Sequence, residues 1–142
     1  MVNVLLAALV SSCLVDISVP SQLEIRLCHD ENNFGLEELQ ARLVGEWELV
    51  MTTCFSNPSV GSESSTDFIA TFLDSGELIV TKPDSPQIAT IWSVNQKSTN
   101  MFEVVTDTHI GELQGTIVLC DDRVEFRLSY IDLCDHRFRR VE

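Results

Sequence analysis

From residue 45 to the end of the chain, apolar and polar residues alternate in short runs. This period of two is typical of strands that bury one face. Turn-forming groups such as Asp74-Ser75-Gly76 and Asp121-Asp122 separate the runs, and a serine-rich polar loop covers 55–66. The pattern predicts eight strands, at about 45–54, 67–73, 77–82, 87–94, 101–106, 112–120, 123–131 and 136–141.

One amphipathic helix is predicted before the first strand. Its leucines, Leu36, Leu39 and Leu43, have helical spacing, and Asn33 is the predicted N-cap. Gly45 allows the turn from this helix into the strand. Residues 14–33 lack a clear period, and we interpret them as a connector with one short strand at 23–27.

Eight short strands fit either a sandwich or an up-and-down barrel. An even number lets the last strand pair with the first, which removes both free edges. We therefore predict an all-β domain over 34–142, an eight-stranded antiparallel up-and-down barrel with the short helix closing its lower end. The interior of such a barrel holds either packed side chains or one small ligand.

Barrel closure makes a prediction about the five cysteines. Counting strand directions places Cys54 and Cys134 at the upper end, and Cys120 at the lower end, where Cys28 precedes the helix. We predict the disulfides Cys54–Cys134 and Cys28–Cys120, with Cys13 unpaired. The alternative is a set of reduced, buried cysteines in a cytosolic protein.

Gly45-Glu46-Trp47, after a helix and at the start of a strand series, resembles the lipocalin-like branch of the calycins. In lipocalins a tryptophan of the first strand packs against an arginine of the last, which implies a barrel-closing pair of Trp47 and Arg140, with Arg139 as the alternative. The end of the chain, 132–141, also resembles small bacterial lipocalin-like lipoproteins. The resemblance covers roughly 36–142 and implies a lipocalin-like barrel.

The N-terminus resembles an export signal. Residues 2–15 are uncharged and mostly apolar, and they are too short to span a bilayer as a helix. Val10-Ser11-Ser12-Cys13 resembles a bacterial lipobox, which implies a signal segment at 1–13 and lipidation of Cys13. The expected location is therefore the periplasm or cell surface on a lipid anchor, or secretion in soluble form. The alternative is a buried N-terminal strand with a core cysteine.

The inward faces of the predicted strands form an apolar ring. Its ligand-binding candidates are Trp47, Leu49, Met51, Phe68, Phe72, Trp92, Phe102, Phe126 and Tyr130. An apolar ring with few polar groups, here Thr90, Trp92 and Tyr130, suits a small hydrophobic ligand. We expect an exported binding protein that holds such a molecule. The alternative is a barrel filled by these aromatics, acting as a structural or protein-interaction subunit.

Charge and motifs restrict the remaining classes. The net charge of −13 argues against nucleic acid and against direct contact with an anionic membrane, leaving the lipid anchor as the membrane link. No Gly-x-Ser-x-Gly elbow, H-E-x-x-H motif or phosphate loop occurs. We predict no enzyme activity, cofactor or metal. His109 and His136 fall at the same end of the barrel, either as one site or as exposed turn residues.

Overall fold

The computed structural model describes residues 21–55, 62–63, 67–128, 131 and 133–142. In this part of the chain, helices α1 (Gln22–Asn32) and α2 (Leu36–Leu43) come first, and a 3-10 turn covers Gly111–Leu113. The strands are β1 (Gly45–Cys54), β2 (Ser62–Glu63), β3 (Ile69–Phe72), β4 (Glu77–Thr81), β5 (Ile88–Ser98), β6 (Met101–Thr106), β7 (Thr116–Cys120), β8 (Arg123–Arg127) and β9 (Cys134–Arg140). Neither described helix has the length and apolar character needed to cross a membrane.

Eight of these strands form a closed antiparallel barrel, as predicted. Neighbours follow the order β1-β3-β4-β5-β6-β7-β8-β9, and β9 returns to pair with β1. That last pairing runs from Trp47 opposite Arg140, at what we name the lower end, to Cys54 opposite Cys134, at the upper end. The short β2 lies outside this count and pairs with the upper part of β1.

Both predicted disulfides are confirmed. Cys54 and Cys134 are bonded with their Cα atoms 4.0 Å apart, and they join β1 to β9 at the upper end. Cys28 and Cys120 are bonded with their Cα atoms 5.6 Å apart, and they join α1 to the lower end of β7. Cys13 and the predicted signal segment lie outside the described residues.

The prediction of a strand at 23–27 is wrong, because these residues belong to α1. Ser21 caps this helix: its hydroxyl accepts from the Glu24 N–H at 3.3 Å, and its own N–H donates to the Glu24 carboxylate at 2.6 Å. Asn33 is not an N-cap but ends α1 in the left-handed conformation, with φ of 47°. Gly35 is the N-cap of α2. Two helices therefore precede the barrel where one was predicted.

The predicted inward position of Met51 is also corrected. A register shift between Leu49 and Met51 interrupts the pairing of β1 with β9. Leu49 is paired with Phe138, and the next paired residue, Met51, is paired with Arg137. Adjacent strand residues point to opposite faces, and a bulge therefore reverses the faces of the residues beyond it. Met51 lies on the outer face with its sulfur 3.6 Å from Nη1 of Arg137.

Candidate functional site: the barrel interior and its two ends

At the lower end, Trp47 is fully buried and held on two sides. Its indole N–H donates to the Leu43 carbonyl at 2.8 Å, and the Arg140 guanidinium lies over its ring, 4.2 Å from the centroid. Arg140 also donates to the carbonyls of Val44, at 2.9 Å, and Arg42. Burial lowers the pKa of Arg140 below its usual value, with the nearby Asp122 acting in the opposite direction.

The neighbouring residues Gly45 and Arg139 explain why Arg140 is the arginine that contacts Trp47. Gly45 has φ of 134°, and a Cβ there would collide with the Arg140 guanidinium, so the glycine of Gly-x-Trp makes room for the arginine. Arg139 points outward and pairs with Glu48. The structure thus places Arg140, and not Arg139, on Trp47.

Replacing Arg140 with Lys is expected to lower the free energy of unfolding by about 1–2 kcal/mol. Lysine keeps the charge but lacks the planar guanidinium, which stacks on Trp47 and donates hydrogen bonds to backbone carbonyls at the same time. Chemical denaturation of the purified protein measures this difference. Arg139→Lys is the matched control and should change stability by less than about 0.5 kcal/mol. Equal losses for both variants would contradict a special role for Arg140.

The predicted ligand-binding residues form a packed core. Seven of them, none more than 6% exposed, belong to one cluster: Trp47, Leu49, Phe68, Phe72, Trp92, Phe102 and Phe126. Phe138 stands edge-on to both Phe68 and Phe126, with ring centroids 5.5 and 5.6 Å apart, and Phe72 does the same to Trp92 at 4.8 Å. Tyr130 lies outside the described residues.

Two of the predicted polar groups of the interior form hydrogen bonds with the backbone. The Trp92 indole N–H donates to the Leu73 carbonyl at 3.1 Å. The Thr90 hydroxyl accepts from the Thr108 N–H at 3.0 Å. These two groups therefore hold strands and turns together and are already satisfied within the protein.

At the upper end, the predicted His136 is joined by polar side chains that the strand pattern did not indicate. Thr52 and His136 are partners across β1 and β9, with the Thr52 hydroxyl 3.1 Å from Nδ1 of His136. Lys82 pairs with Glu112 of the 3-10 turn at 2.8 Å, and its ammonium lies 5.2 Å from the Phe68 ring centroid. Half-buried polar groups thus lie next to the aromatic core.

Two of these groups have shifted pKa values. Burial lowers the pKa of His136 from its usual 6.5, and the charges of Glu112 and Asp135 only partly offset this. For Glu112 burial acts to raise the pKa, but the hydrogen bonds from Lys82 and from its own backbone N–H, together with the charge of Lys82, outweigh it and leave the pKa below 4.5. His109 is exposed beside Glu103 and Gln114, and no contact among the described residues joins it to His136.

His136 should make stability depend on pH. Because its pKa is depressed in the folded protein, the unfolded chain binds more protons just below pH 6.5, and the free energy of unfolding falls as the pH falls through that window. Urea titrations from about pH 7.5 to about pH 5 should show this decrease, and His136→Asn should flatten it. His109→Asn is the control and should retain the slope. A variant of His136 with an unchanged slope would contradict the assignment.

Fold and side chains together define a closed antiparallel β-barrel with two disulfides and a densely packed interior. Comparison of the chain with protein-family models, with curated proteins and with solved structures finds no match. The function is therefore inferred from the chain's own residues.

Proposed function

We propose that this protein is an exported, lipocalin-like barrel that is filled by its own side chains and acts through its outer surface as a structural or protein-interaction subunit. The observation that carries this proposal is the mutual packing of Phe68, Phe126 and Phe138 in the space where a ligand would lie. Edge-to-face contacts of this kind are already favourable without a ligand.

Export is supported by the two disulfides. Such bonds form and persist in oxidising compartments and are rare in the cytosol. A lipid on Cys13 would anchor the barrel to a membrane through the connector that precedes α1. Helix α2 closing the lower end, as in a lipocalin-like barrel, is consistent with the bond from Trp47 to Leu43.

The upper end offers a surface for a protein partner. Three large apolar side chains are exposed there close to the Cys54–Cys134 disulfide: Phe55, Ile131 and Leu133. We name these three residues the apolar rim. Exposed apolar groups set in a polar surface are typical of interaction sites. Since the chain has a net charge of −13, the fitting partner is a protein with an apolar patch bordered by basic residues.

The rim can be tested by cross-linking in the cell that makes the protein. Phe55→Asp with Leu133→Asp should abolish a cross-linked partner, while Ile91→Asp, at an exposed apolar position on β5, should retain it. Equal recovery of the partner with both variants, or no cross-linked partner with the unmodified chain, would contradict an interaction role for the rim.

A small hydrophobic ligand remains the second candidate, because His136 and Lys82 place polar groups directly above the apolar core. Two measurements separate it from the filled barrel. Solvent extraction of the purified protein, followed by mass spectrometry, detects a retained ligand. Titration with fatty acids, retinoids and hydrophobic dyes detects an open chamber through the fluorescence of Trp47 and Trp92. No extracted hydrophobic molecule and no saturable quenching are expected; a stoichiometric hydrophobic ligand would overturn the filled barrel.

A further inference from the structure

Among neighbouring strands of the barrel, β6 and β7 have the fewest paired residues, which leaves a gap in the sheet. Helix α1 lies across this gap. In the described structure β6 and β7 share the single register pair Glu103–Thr116, whereas β1 and β9 share seven. The Leu119 N–H of β7 donates instead to Nδ1 of the buried His29 on α1, at 3.1 Å. The disulfide Cys28–Cys120 fixes the same helix to the same strand.

Helix α1 is also tied to the turn between β5 and β6. The Asn100 amide N–H donates to the Asp30 carboxylate at 3.0 Å, and Nε2 of His29 lies 3.5 Å from the Asn100 carbonyl. Since Nδ1 of His29 accepts a hydrogen bond, the imidazole carries its proton on Nε2. Helix α1 is therefore bonded to the elements on both sides of the gap, to β7 and to the β5–β6 turn.

A cavity of about 420 Å³ lies beside helix α1. Its volume falls within the range of roughly 300–1,000 Å³ that is usual for small-molecule sites. The residues that matter for its chemistry are Arg26, Asp30, Asn100, Met101 and Arg127. The whole lining comes from α1, the β5–β6 turn, β6, β7 and β8, so the disulfide and the hydrogen bonds above hold the cavity together.

One part of the lining is cationic. Among the described residues, Arg26 takes part in none of the ion pairs. Arg127 makes its ion pairs through Nε, 3.2 Å from Glu125 and 3.9 Å from Asp135. Two guanidiniums on one cavity of an otherwise acidic chain favour a carboxylate ligand.

Another part of the lining consists of acceptors. Oδ1 of Asn100 is buried without a hydrogen-bond partner in the described structure, although the amide nitrogen of the same side chain is bonded to Asp30. A buried acceptor without a donor is unfavourable, so a turn of the Asn100 side chain toward a ligand N–H group would satisfy it. The Asp30 carboxylate beside it favours a donor that is positively charged.

We propose that this cavity binds a small zwitterion of the amino-acid or dipeptide class. The guanidiniums of Arg26 and Arg127 take its carboxylate, and Asn100 and Asp30 take its ammonium group. The exposed Met101 supplies apolar contact for its side chain. This site lies on the outside of the barrel and does not depend on whether the interior is filled.

Nuclear magnetic resonance of the oxidised full chain tests the proposal. Glycine, L-leucine and glycyl-L-leucine are titrated into the ¹⁵N-labelled protein, with acetate and butylamine as probes that carry one of the two charges. We expect saturable shifts of the amides of Asn100, Met101 and Thr116 with a zwitterion. Arg26→Gln should weaken binding by about tenfold or more, the order expected for one charge-assisted hydrogen bond.

Two variants complete the test. Asn100→Gly keeps the left-handed backbone, φ of 59°, but removes the acceptor together with the bond to Asp30, and it should weaken the zwitterion more than acetate. Lys97→Gln removes an exposed cation from the same region outside the cavity and should leave binding unchanged. The proposal is overturned by no saturable shift with any zwitterion, by equally tight binding of acetate, or by equal effects of Arg26→Gln and Lys97→Gln. Each of these outcomes leaves the extraction and dye results on the interior untouched.

Discussion

Loss of both disulfides will lower the free energy of unfolding by about 4–10 kcal/mol, since each native bridge in a small exported domain contributes about 2–5 kcal/mol. The bridges join residues 92 and 80 positions apart, so each closes a long loop that the reduced, unfolded chain leaves open. This loss is comparable with the whole stability of a typical domain. Urea unfolding with and without a thiol reductant measures it.

Paired serine variants assign the two contributions. Cys54→Ser with Cys134→Ser should speed amide exchange at the upper end of the β1–β9 ladder. Cys28→Ser with Cys120→Ser should do so in α1 and in the lower end of β7. An unfolding midpoint that is insensitive to reductant would show that neither bridge stabilises the fold.

Trp47→Ala is expected to cost about 3–5 kcal/mol, the range for removing a large aromatic side chain from a core. The substitution leaves a cavity at the lower end, removes the ring under Arg140, and leaves the Leu43 carbonyl without its donor. Chemical denaturation, monitored by circular dichroism because one tryptophan is lost, gives the value.

Ile91→Ala is the matched control for that experiment. Ile91 is a large apolar residue on β5 but is 63% exposed, so its truncation should change stability by less than about 0.5 kcal/mol. A cost for Trp47→Ala close to that of the control would mean that the lower end is not held by the tryptophan.

Barrel closure and both disulfides could be predicted from the sequence for a simple physical reason. In an antiparallel meander each strand reverses direction, so counting strands tells which end of the barrel every cysteine occupies. The strand count is correct although two strand lengths were predicted wrongly. β5 runs to Ser98 and β7 begins only at Thr116, but neither difference alters the number of chain reversals.

The errors arose where alternation alone is ambiguous. Leu23, Ile25 and Leu27 alternate like a strand, but Ser21 and Glu24 form the capping box of a helix, a signal present in the sequence. Met51 continues the alternation of Trp47 and Leu49, and no residue near it marks the bulge that turns it outward.

The candidate sites were harder to predict than the fold. Lys82 follows β4 and Glu112 lies in the 3-10 turn before β7, and they meet only because these distant segments come together at the upper end of the barrel. Arg26, Asn100 and Arg127 are similarly distant in sequence and line one cavity only through the placement of α1. Local periodicity carries no information about such long-range contacts.

The return of β9 to β1 is the central claim, and disulfide mapping tests it most directly. The mature protein is digested without reductant, and the linked peptides are identified by mass spectrometry. The structure predicts peptides that join Cys54 to Cys134 and Cys28 to Cys120. A peptide joining Cys54 to Cys120 would contradict it, because these residues lie at opposite ends of the closed barrel.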